Sequence, residues 1–146
     1  MFVLETYTKK NSAIVSEALA SWVSTSTKKT LATQASNIAK KAIESLQEKH
    51  AFIWAAKKDD KICAVLIADE TVDHKKTKQI YLRYLTKNVD DITSRGCGIF
   101  LLNTIQQMAK KQNISIVLVS DNADKFWKKQ DFKINPSDTT QYIWTP

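Results

Sequence analysis

Both glycines of this 146-residue chain lie in one segment, Thr93-Ser94-Arg95-Gly96-Cys97-Gly98-Ile99-Phe100-Leu101-Leu102. At the usual frequency of about 7%, a chain of this length holds roughly ten glycines. Its other turns are built from Asn, Asp, Ser and Lys. Two glycines this close together therefore mark a place where the backbone needs unusual freedom, or where another molecule approaches it closely.

The sequence around the glycines predicts a strand, a turn, a helix and a second strand. Alternating residues predict a strand over Gln79 to Lys87, and the polar loop 88–94 follows. A helix then runs to about Gln112 with an apolar face made of Leu101, Leu102, Ile105, Met108 and Ala109. The nearly continuous apolar run from Ile114 to Val119 is typical of a strand buried on both faces. This βαβ unit predicts two parallel strands joined by a right-handed crossover.

The rest of the chain predicts a mixed α/β fold in one domain spanning residues 1–146. We expect a strand over Phe2–Thr8, a helix capped by Asn11 or Ser12, a helix over Thr30–Lys49, a hairpin of strands Ala51–Lys57 and Lys61–Asp69, a short helix over Ala123–Gln130, and last strands over Phe132–Ile134 and Gln141–Trp144. The predicted order is β-α-α-β-β-β-α-β-α-β.

Composition excludes several classes of protein. A hydrophobic content of 43% is enough for a core. No run approaches the roughly 18 apolar residues of a membrane span, and the first residues do not resemble a signal peptide. Cys63 and Cys97 fit neither a disulfide framework nor a metal motif, so we expect reduced thiols, no metal, and a place in the cytoplasm, or the nucleus in a eukaryote. The net charge of +7 is spread along the chain, which argues against a nucleic-acid-binding arm.

A strand, a glycine turn and a helix together form a suitable cradle for a phosphate. The first amides of a helix have no partner within the helix, and the helix dipole favours an anion there. Arg95 adds a cation, and Thr93 and Ser94 add hydroxyl donors. The alternative is a tight turn that binds no ligand. Two nucleotide motifs fail, because Gly98 is not followed by Lys-Ser/Thr and because Leu101 stands where the dinucleotide motif needs its third glycine.

A third motif fits. Thr93 to Leu102 resembles the acetyl-coenzyme A motif of the GNAT superfamily of N-acetyltransferases, Gln/Arg-x-x-Gly-x-Gly/Ala followed by a helix with a Leu pair. Ile116-Val117-Leu118-Val119 looks like the family's fifth strand. Asp121-Asn122-Ala123 with 126–132 resembles its Asn-Ala…Phe-Tyr-x-Lys-x-Gly-Phe signature, and Lys128-Lys129-Gln130 is closest to the histone-acetyltransferase branch. The predicted first half also follows the family's order of elements.

The resemblance implies a sheet that is splayed between its fourth and fifth strands, with acetyl-CoA in the gap as co-substrate. The pyrophosphate would bind the amides of Arg95 to Gly98. The pantetheine would pair with the fourth strand near Leu85 to Lys87, where an amide would face the thioester oxygen. The implied cofactor-binding residues are Leu85, Thr86, Lys87, Thr93, Ser94, Arg95, Gly96, Cys97, Gly98, Asn122, Phe126 and Trp127.

The implied activity is direct transfer of the acetyl group to a primary amine within one ternary complex, in which the enzyme holds both reactants in line. The acceptor is a protein lysine, a protein N-terminus, a polyamine or a small metabolite. The similarity around Lys128-Lys129-Gln130 favours a protein lysine. A homodimer is left open, and neither a membrane nor a nucleic acid is expected as partner.

The chain departs from the family pattern at several positions. Thr93 replaces the family's Gln or Arg, and Asp131 replaces a glycine and is expected to distort its turn. Trp127 replaces a tyrosine that often protonates the leaving thiolate, and an indole N–H is no acid at neutral pH. Cys97 is expected to fill a small space beside the cofactor, with a thiol of lowered pKa as the alternative.

The general base is also not evident, because the fourth strand lacks the glutamate that some family members carry there. An amine must lose a proton to attack. Candidates are Glu70, Asp73, His74 and Tyr84, of which we select Tyr84 and Glu70. The alternative function is a GNAT-fold module that binds acyl-CoA or a protein without turnover.

Overall fold

The computed structural model of the chain describes residues 1–25, 29–88, 95–120 and 123–146, and of residues 24, 25 and 29–36 the backbone alone. The strands in these ranges are β1 (Val3–Tyr7), β2 (Phe52–Lys58), β3 (Lys61–Val72), β4 (Lys78–Lys87), β5 (Ser115–Leu118), β6 (Lys133–Asn135) and β7 (Asp138–Trp144). The helices are α1 (Ala13–Thr25), α2 (Lys29–Ser45), α3 (Cys97–Gln112) and α4 (Asp124–Lys129), with one 3₁₀ turn at Lys9–Asn11. None of the helices, as far as they are described, is long and apolar enough to cross a bilayer.

The strands form one mixed sheet of seven strands in the order β1-β2-β3-β4-β5-β7-β6. β4 pairs with β5 in parallel, from Gln79 with Ser115 to Tyr81 with Val117, and β4 continues to Lys87. β2 is antiparallel to both β1 and β3, and β7 is antiparallel to both β5 and β6. The predicted α/β class, the hairpin and the parallel βαβ unit are therefore confirmed.

The chain divides into two compact units. The first unit comprises Met1–Ala68 and Tyr84–Asn103, and the second comprises Asp69–Arg83 and Thr104–Pro146. β3, β4 and α3 each contribute residues to both units. The single domain predicted from the sequence stays a prediction.

The core of the first unit lies between α1, α2 and one face of the sheet. Its buried members are Val15, Leu19, Trp22, Ala39, Ala42, Leu46, Ile53, Val65 and Ile67. Five of them come from α1 and α2, which the sequence predicted as helices, and Leu46 directly follows α2. Burying each large aliphatic side chain contributes about 1.5–3 kcal/mol, so this cluster fixes α1 and α2 to the strands.

α2 ends at Ser45, four residues before the predicted end at Lys49. The amides of Gln47 and Glu48 bond to carbonyls only three residues back, which tightens the chain out of the α-helix. His50 Nε2 lies 2.8 Å from both the Ser45 carbonyl oxygen and Ser45 Oγ. The Ser45 carbonyl, one of those at the helix end, thus contacts His50 as well as accepting the hydrogen bond of the Glu48 amide.

The second unit is built around β5. Ile116, Val117 and Leu118 are at most 1% exposed, as predicted for a strand covered on both faces. Trp127 of α4 and Tyr142 of β7 are also buried. The predicted strand was too long at its end, because Val119 is 55% exposed and lies beyond β5.

Turns elsewhere in the described chain use residues other than glycine. Asp59 and Asp60 link β2 to β3 with φ of 51° and 62°, as in a type I′ hairpin turn. Lys76, Asn113 and Asp131 also have positive φ. The fold therefore places Asp, Asn and Lys in the left-handed conformation that usually selects glycine.

Candidate functional site

The start of α3 is shaped by Gly96. Its φ is +87°, in the left-handed region, and its carbonyl accepts a hydrogen bond from the Phe100 amide at 3.0 Å. This makes Gly96 the residue that caps the helix, and Cys97 is the first helical residue. The amides of Cys97, Gly98 and Ile99 thus belong to the turn that has no acceptors within the helix, where the helix dipole is positive.

Gly98 faces open space. A Cβ at this position would meet no heavy atom of the described residues within 4 Å, and Gly98 is not among the residues with positive φ. At Gly96, by contrast, a Cβ would lie 3.9 Å from Phe2 Cε2, which is an ordinary contact. Conformation therefore explains the glycine at 96, whereas no contact or backbone angle explains the one at 98.

The Cys63 carbonyl oxygen links the end of β4 to the start of α3. The Cys97 thiol donates to the Cys63 carbonyl oxygen at 3.1 Å, and the Asn88 amide donates to the same oxygen, also at 3.1 Å. Asn88 directly follows β4, and Cys63 lies beside a register shift in the β2–β3 ladder. Leu85, Thr86 and Lys87 at the end of β4 are thereby fixed in the same unit as Arg95, Gly96, Cys97 and Gly98.

Cys97 is fully buried. Burial above all, together with the nearby Cys63, raises the pKa of its thiol to about 12, against smaller lowering effects of Lys87 and the Gly98 amide. The alternative of a thiol with a lowered pKa is therefore wrong, because desolvation outweighs the helix dipole here. Cys97 fills a small space in the first unit, as expected, and its side chain has a structural role.

Cations lie around the same turn. Arg95 is exposed directly before Gly96, and Lys87 is exposed at the end of β4. Thr86, directly before Lys87 in the chain, is 6% exposed, and Leu85 is half-buried. The predicted ligands Thr93, Ser94 and Asn122 lie outside the described residues.

Phe2 and Lys58 also belong to this region, although the sequence interpretation assigned them no functional role. The Phe2 and Phe100 rings pack with centroids 5.7 Å apart, and Lys58 Nζ lies 5.8 Å from the Phe2 centroid. The strand order contains the signal that was missed. Since β2, β3 and β4 alternate in direction, the β2–β3 turn lies at the same edge of the sheet as the end of β4.

In the second unit, Phe126 and Trp127 pack on each other with their ring centroids 4.9 Å apart. Trp127 is 7% exposed and also packs edge-on against Phe132 at 5.3 Å. Asp131 does not distort the turn: its amide bonds to the Lys128 carbonyl, and that of Phe132 bonds to the Trp127 carbonyl, at 3.2 and 3.1 Å. This is a Schellman helix end with Asp131 at φ 68° in place of glycine.

The two selected catalytic candidates lie in different units. Tyr84, in the first, is half-buried and packs against the core cluster. Glu70, in the second, lies on β3, because β3 extends past its predicted end at Asp69 to Val72. Its Oε2 pairs with Lys78 Nζ at 3.2 Å.

The other two candidates for the base lie in the turn after β3. Asp73 Oδ1 accepts bonds from the Lys75 and Thr77 amides, both at 2.8 Å, so its carboxylate shapes the turn. His74 is exposed in the same turn. Across the described part of the chain, no three His, Cys, Asp or Glu side chains gather as metal ligands would.

At the level of sequence, neither a family model nor a curated protein matches this chain. Solved structures do match it. A GNAT family acetyltransferase from Brucella melitensis in complex with acetyl-CoA superposes with a TM-score of 0.64 at 10% identity, over 99% of this chain and 88% of that one. The chain has the GNAT fold.

Two further structures agree in fold. Arabidopsis thaliana Naa50, in complex with the bisubstrate analogue CoA-Ac-MVNAL, gives a TM-score of 0.61 at 19% identity over 97% of this chain and 95% of that one. PaiA N-acetyltransferase from Thermoplasma acidophilum, in complex with coenzyme A, gives 0.60 at 15% identity over 98% and 96%. The fold expected from the glycine segment is thus confirmed, whereas identities this low leave the activity to be argued from the site.

Proposed function

We propose that this chain binds acetyl-CoA at the start of α3 and transfers the acetyl group to a primary amine. The observation that carries the proposal is Gly98, whose missing side chain leaves open space beside the unpaired amides of a helix start. Structures with the same fold hold acetyl-CoA or coenzyme A. A pyrophosphate is the part of that cofactor which suits such a helix end.

The cofactor contacts follow from this position. The pyrophosphate accepts hydrogen bonds from the first amides of α3 and pairs with Arg95, and Thr93 and Ser94 add their hydroxyls. The pantetheine pairs with the backbone of Leu85 to Lys87, as an added strand pairs with a free sheet edge. Asn122, Phe126 and Trp127 remain in the proposal as contacts from the second unit, Trp127 as a packing residue.

The reaction needs one nucleophile and no covalent enzyme intermediate. The amine nitrogen attacks the thioester carbonyl carbon, and the C–S bond breaks as the C–N bond forms. The amine loses one proton, and the coenzyme A thiolate takes one up, so the protons balance. A β4 amide stabilises the oxyanion of the transition state. Glu70 and Tyr84 are the proposed proton-handling residues.

The acceptor is proposed to be an amine on a protein. Naa50, which shares the fold, was captured with an analogue that joins CoA to a peptide. The preference for lysine rests on Lys128-Lys129-Gln130 alone. A protein N-terminus, a polyamine and a small metabolite are therefore to be tested beside a lysine peptide.

A binding module without turnover is the second candidate. Two observations favour it: Trp127, which replaces the family's tyrosine, is buried between two phenylalanine rings, and Glu70 is held in an ion pair. In that pair the Glu70 carboxylate contacts Lys78, so an incoming amine would have to displace the lysine to reach it.

Calorimetry with acetyl-CoA, followed by an assay of thiol release with the four classes of amine, tests both candidates. We expect binding and release of free coenzyme A with at least one class. Absence of binding contradicts both candidates, and binding without thiol release with any amine establishes the module.

Two variants test the proton-handling residues. Glu70→Gln and Tyr84→Phe should each lower kcat about 100-fold, the usual scale for losing a general acid or base, with little change in acetyl-CoA affinity. Lys78→Gln is the matched control, since it breaks the same ion pair and keeps the carboxylate. Equal losses in Glu70→Gln and Lys78→Gln would show that the ion pair matters and that Glu70 handles no proton.

A further inference from the structure

Lys58 is a cation of the first unit that lies close to the start of α3, although it comes from a distant part of the chain. It is the last residue of β2, and its Nζ lies 5.8 Å from the centroid of the Phe2 ring. The edge of that ring is the nearest neighbour that a Cβ at Gly96 would meet, at 3.9 Å. Phe2 therefore separates the Lys58 ammonium from the glycine turn by about one aromatic ring.

Phe2 also restricts where the ammonium can lie. The ring packs against Phe100 in the first turn of α3, so it is held by the helix itself. An ammonium is attracted to the face of an aromatic ring, which limits the freedom of a long lysine side chain. The position of the charge is thus linked to the turn that the proposed function assigns to the pyrophosphate.

The first unit carries an excess of positive charge here. Lys58, Lys87 and Arg95 come from three separate segments, and the Lys87 charge is close enough to Cys97 to lower the pKa of its thiol. Among the described residues, the acids nearby are Asp59 and Asp60 in the exposed β2–β3 turn, and Glu5, which pairs with Lys57 at 3.1 Å. Cations beside the positive end of a helix repel it, and an anionic ligand relieves that repulsion.

Coenzyme A has two separate anionic groups, the pyrophosphate and the phosphate on the ribose 3′ oxygen, whereas its pantetheine is neutral. In the proposed function the pyrophosphate is bound by the helix amides and Arg95. The ribose separates the 3′-phosphate from the pyrophosphate, much as the Phe2 ring separates Lys58 from Gly96. The 3′-phosphate is therefore the anionic group left for Lys58.

We infer that Lys58, held over Phe2, binds the 3′-phosphate of coenzyme A and makes the chain select the 3′-phosphorylated cofactor. The inference rests on the proposed function and adds a specificity-determining residue to it. Lys58 acts as a compact point charge, which is how lysine commonly binds phosphate.

The test measures the affinities of coenzyme A and 3′-dephospho-coenzyme A by calorimetry, for the natural chain and for Lys58→Met. Methionine keeps an unbranched side chain against Phe2 and removes the charge. The natural chain should bind coenzyme A about 10-fold more tightly than the dephospho form, the scale of one charge-assisted contact. Lys58→Met should bind coenzyme A about 10-fold more weakly and the dephospho form with unchanged affinity, and Lys58→Arg should restore the discrimination.

Lys61→Met is the matched control, because it removes the same charge from the other strand of the same hairpin. It should leave the discrimination intact. Equal weakening of both ligands by Lys58→Met, no weakening at all, or an equal effect of Lys61→Met would overturn the inference and leave the proposed function standing. Failure of the natural chain to bind either ligand would instead overturn the proposed function.

Discussion

The start of α3 and the end of α4 both contain one residue in the left-handed conformation, and they use different amino acids for it. Gly96 has a φ of +87°, and Asp131 has a φ of +68°. The end of α4 keeps both hydrogen bonds of its Schellman turn without glycine. A left-handed helix boundary is thus not sufficient to require glycine in this protein.

The comparison sharpens the interpretation of the two glycines. A left-handed residue other than glycine costs about 1–2 kcal/mol, less for Asp and Asn, and the chain accepts that cost at Asp59, Asp60, Lys76 and Asn113 as well. Glycine is kept only in one turn. At Gly98 neither the conformation nor the packing of the described residues requires it, and the proposed function accounts for it by the space that it leaves for a ligand.

The largest effect is expected for Gly98→Val. The branched side chain would fill the space proposed for the pyrophosphate, and losing charge-assisted hydrogen bonds of about 1.5–3 kcal/mol each predicts at least ~100-fold weaker acetyl-CoA binding by calorimetry. The midpoint of urea unfolding should not fall, because valine favours a helix slightly more than glycine does.

Gly98→Ala is the control for Gly98→Val, since it adds the smallest side chain, which the family motif allows at this position. It should lose far less affinity than the valine variant. Normal acetyl-CoA binding by a folded Gly98→Val protein would show that no ligand lies against this turn, and the start of α3 would then be comparable to the end of α4.

At Gly96 the effect should fall on stability and depend on which residue is introduced. Gly96→Val puts a β-branched residue at φ +87° and should lower the free energy of unfolding by about 1–3 kcal/mol, measured in urea. Gly96→Asn should cost about 1 kcal/mol or less, because asparagine tolerates the left-handed region. Its Cβ would make only an ordinary contact with Phe2.

Similar losses in the two Gly96 variants would mean that backbone conformation is not the reason for glycine at 96. The two glycine positions would then have the same explanation, which is the space they leave for a ligand. Different losses would separate them into one glycine for the backbone and one for the ligand.

Much of the fold was predictable because its signals are local. Two strand-like segments joined by the tight polar turn Lys58-Asp59-Asp60 predicted the β2–β3 hairpin, and the continuous apolar run predicted the buried β5. The end of α2 was not predictable in the same way, because it depends on His50 reaching back to Ser45. The lowered pKa that was the alternative for Cys97 failed for a related reason: sequence shows the helix start, whereas burial against Cys63 appears only in three dimensions.

The residues of the candidate site likewise divide into those that a local motif identifies and those that only the three-dimensional structure identifies. The glycine pair and Arg95 are adjacent in sequence, so a motif was enough to find them. Phe2 and Lys58 are far apart in the chain but lie at the same end of the antiparallel β1–β2 pair, and only the pairing and order of the strands in the sheet connect them with Gly96. Residues that join a site through sheet order leave no pattern in a local segment.

The smallest effect is expected at the end of α4. Asp131→Gly removes the left-handed cost and also a negative charge from the negative end of the helix dipole, and it adds backbone freedom to the unfolded chain. The net result should be a rise of about 0.5–1 kcal/mol in the free energy of unfolding. Asp131→Asn removes the charge alone, so it separates the dipole contribution from the conformational one.

Acetyl-CoA affinity should stay unchanged in both variants, since the ring contact between Trp127 and Phe132 already holds this turn. A loss of affinity in Asp131→Gly would instead show that the turn after α4 contributes to cofactor binding. The end of α4 and the start of α3 would then no longer differ in function.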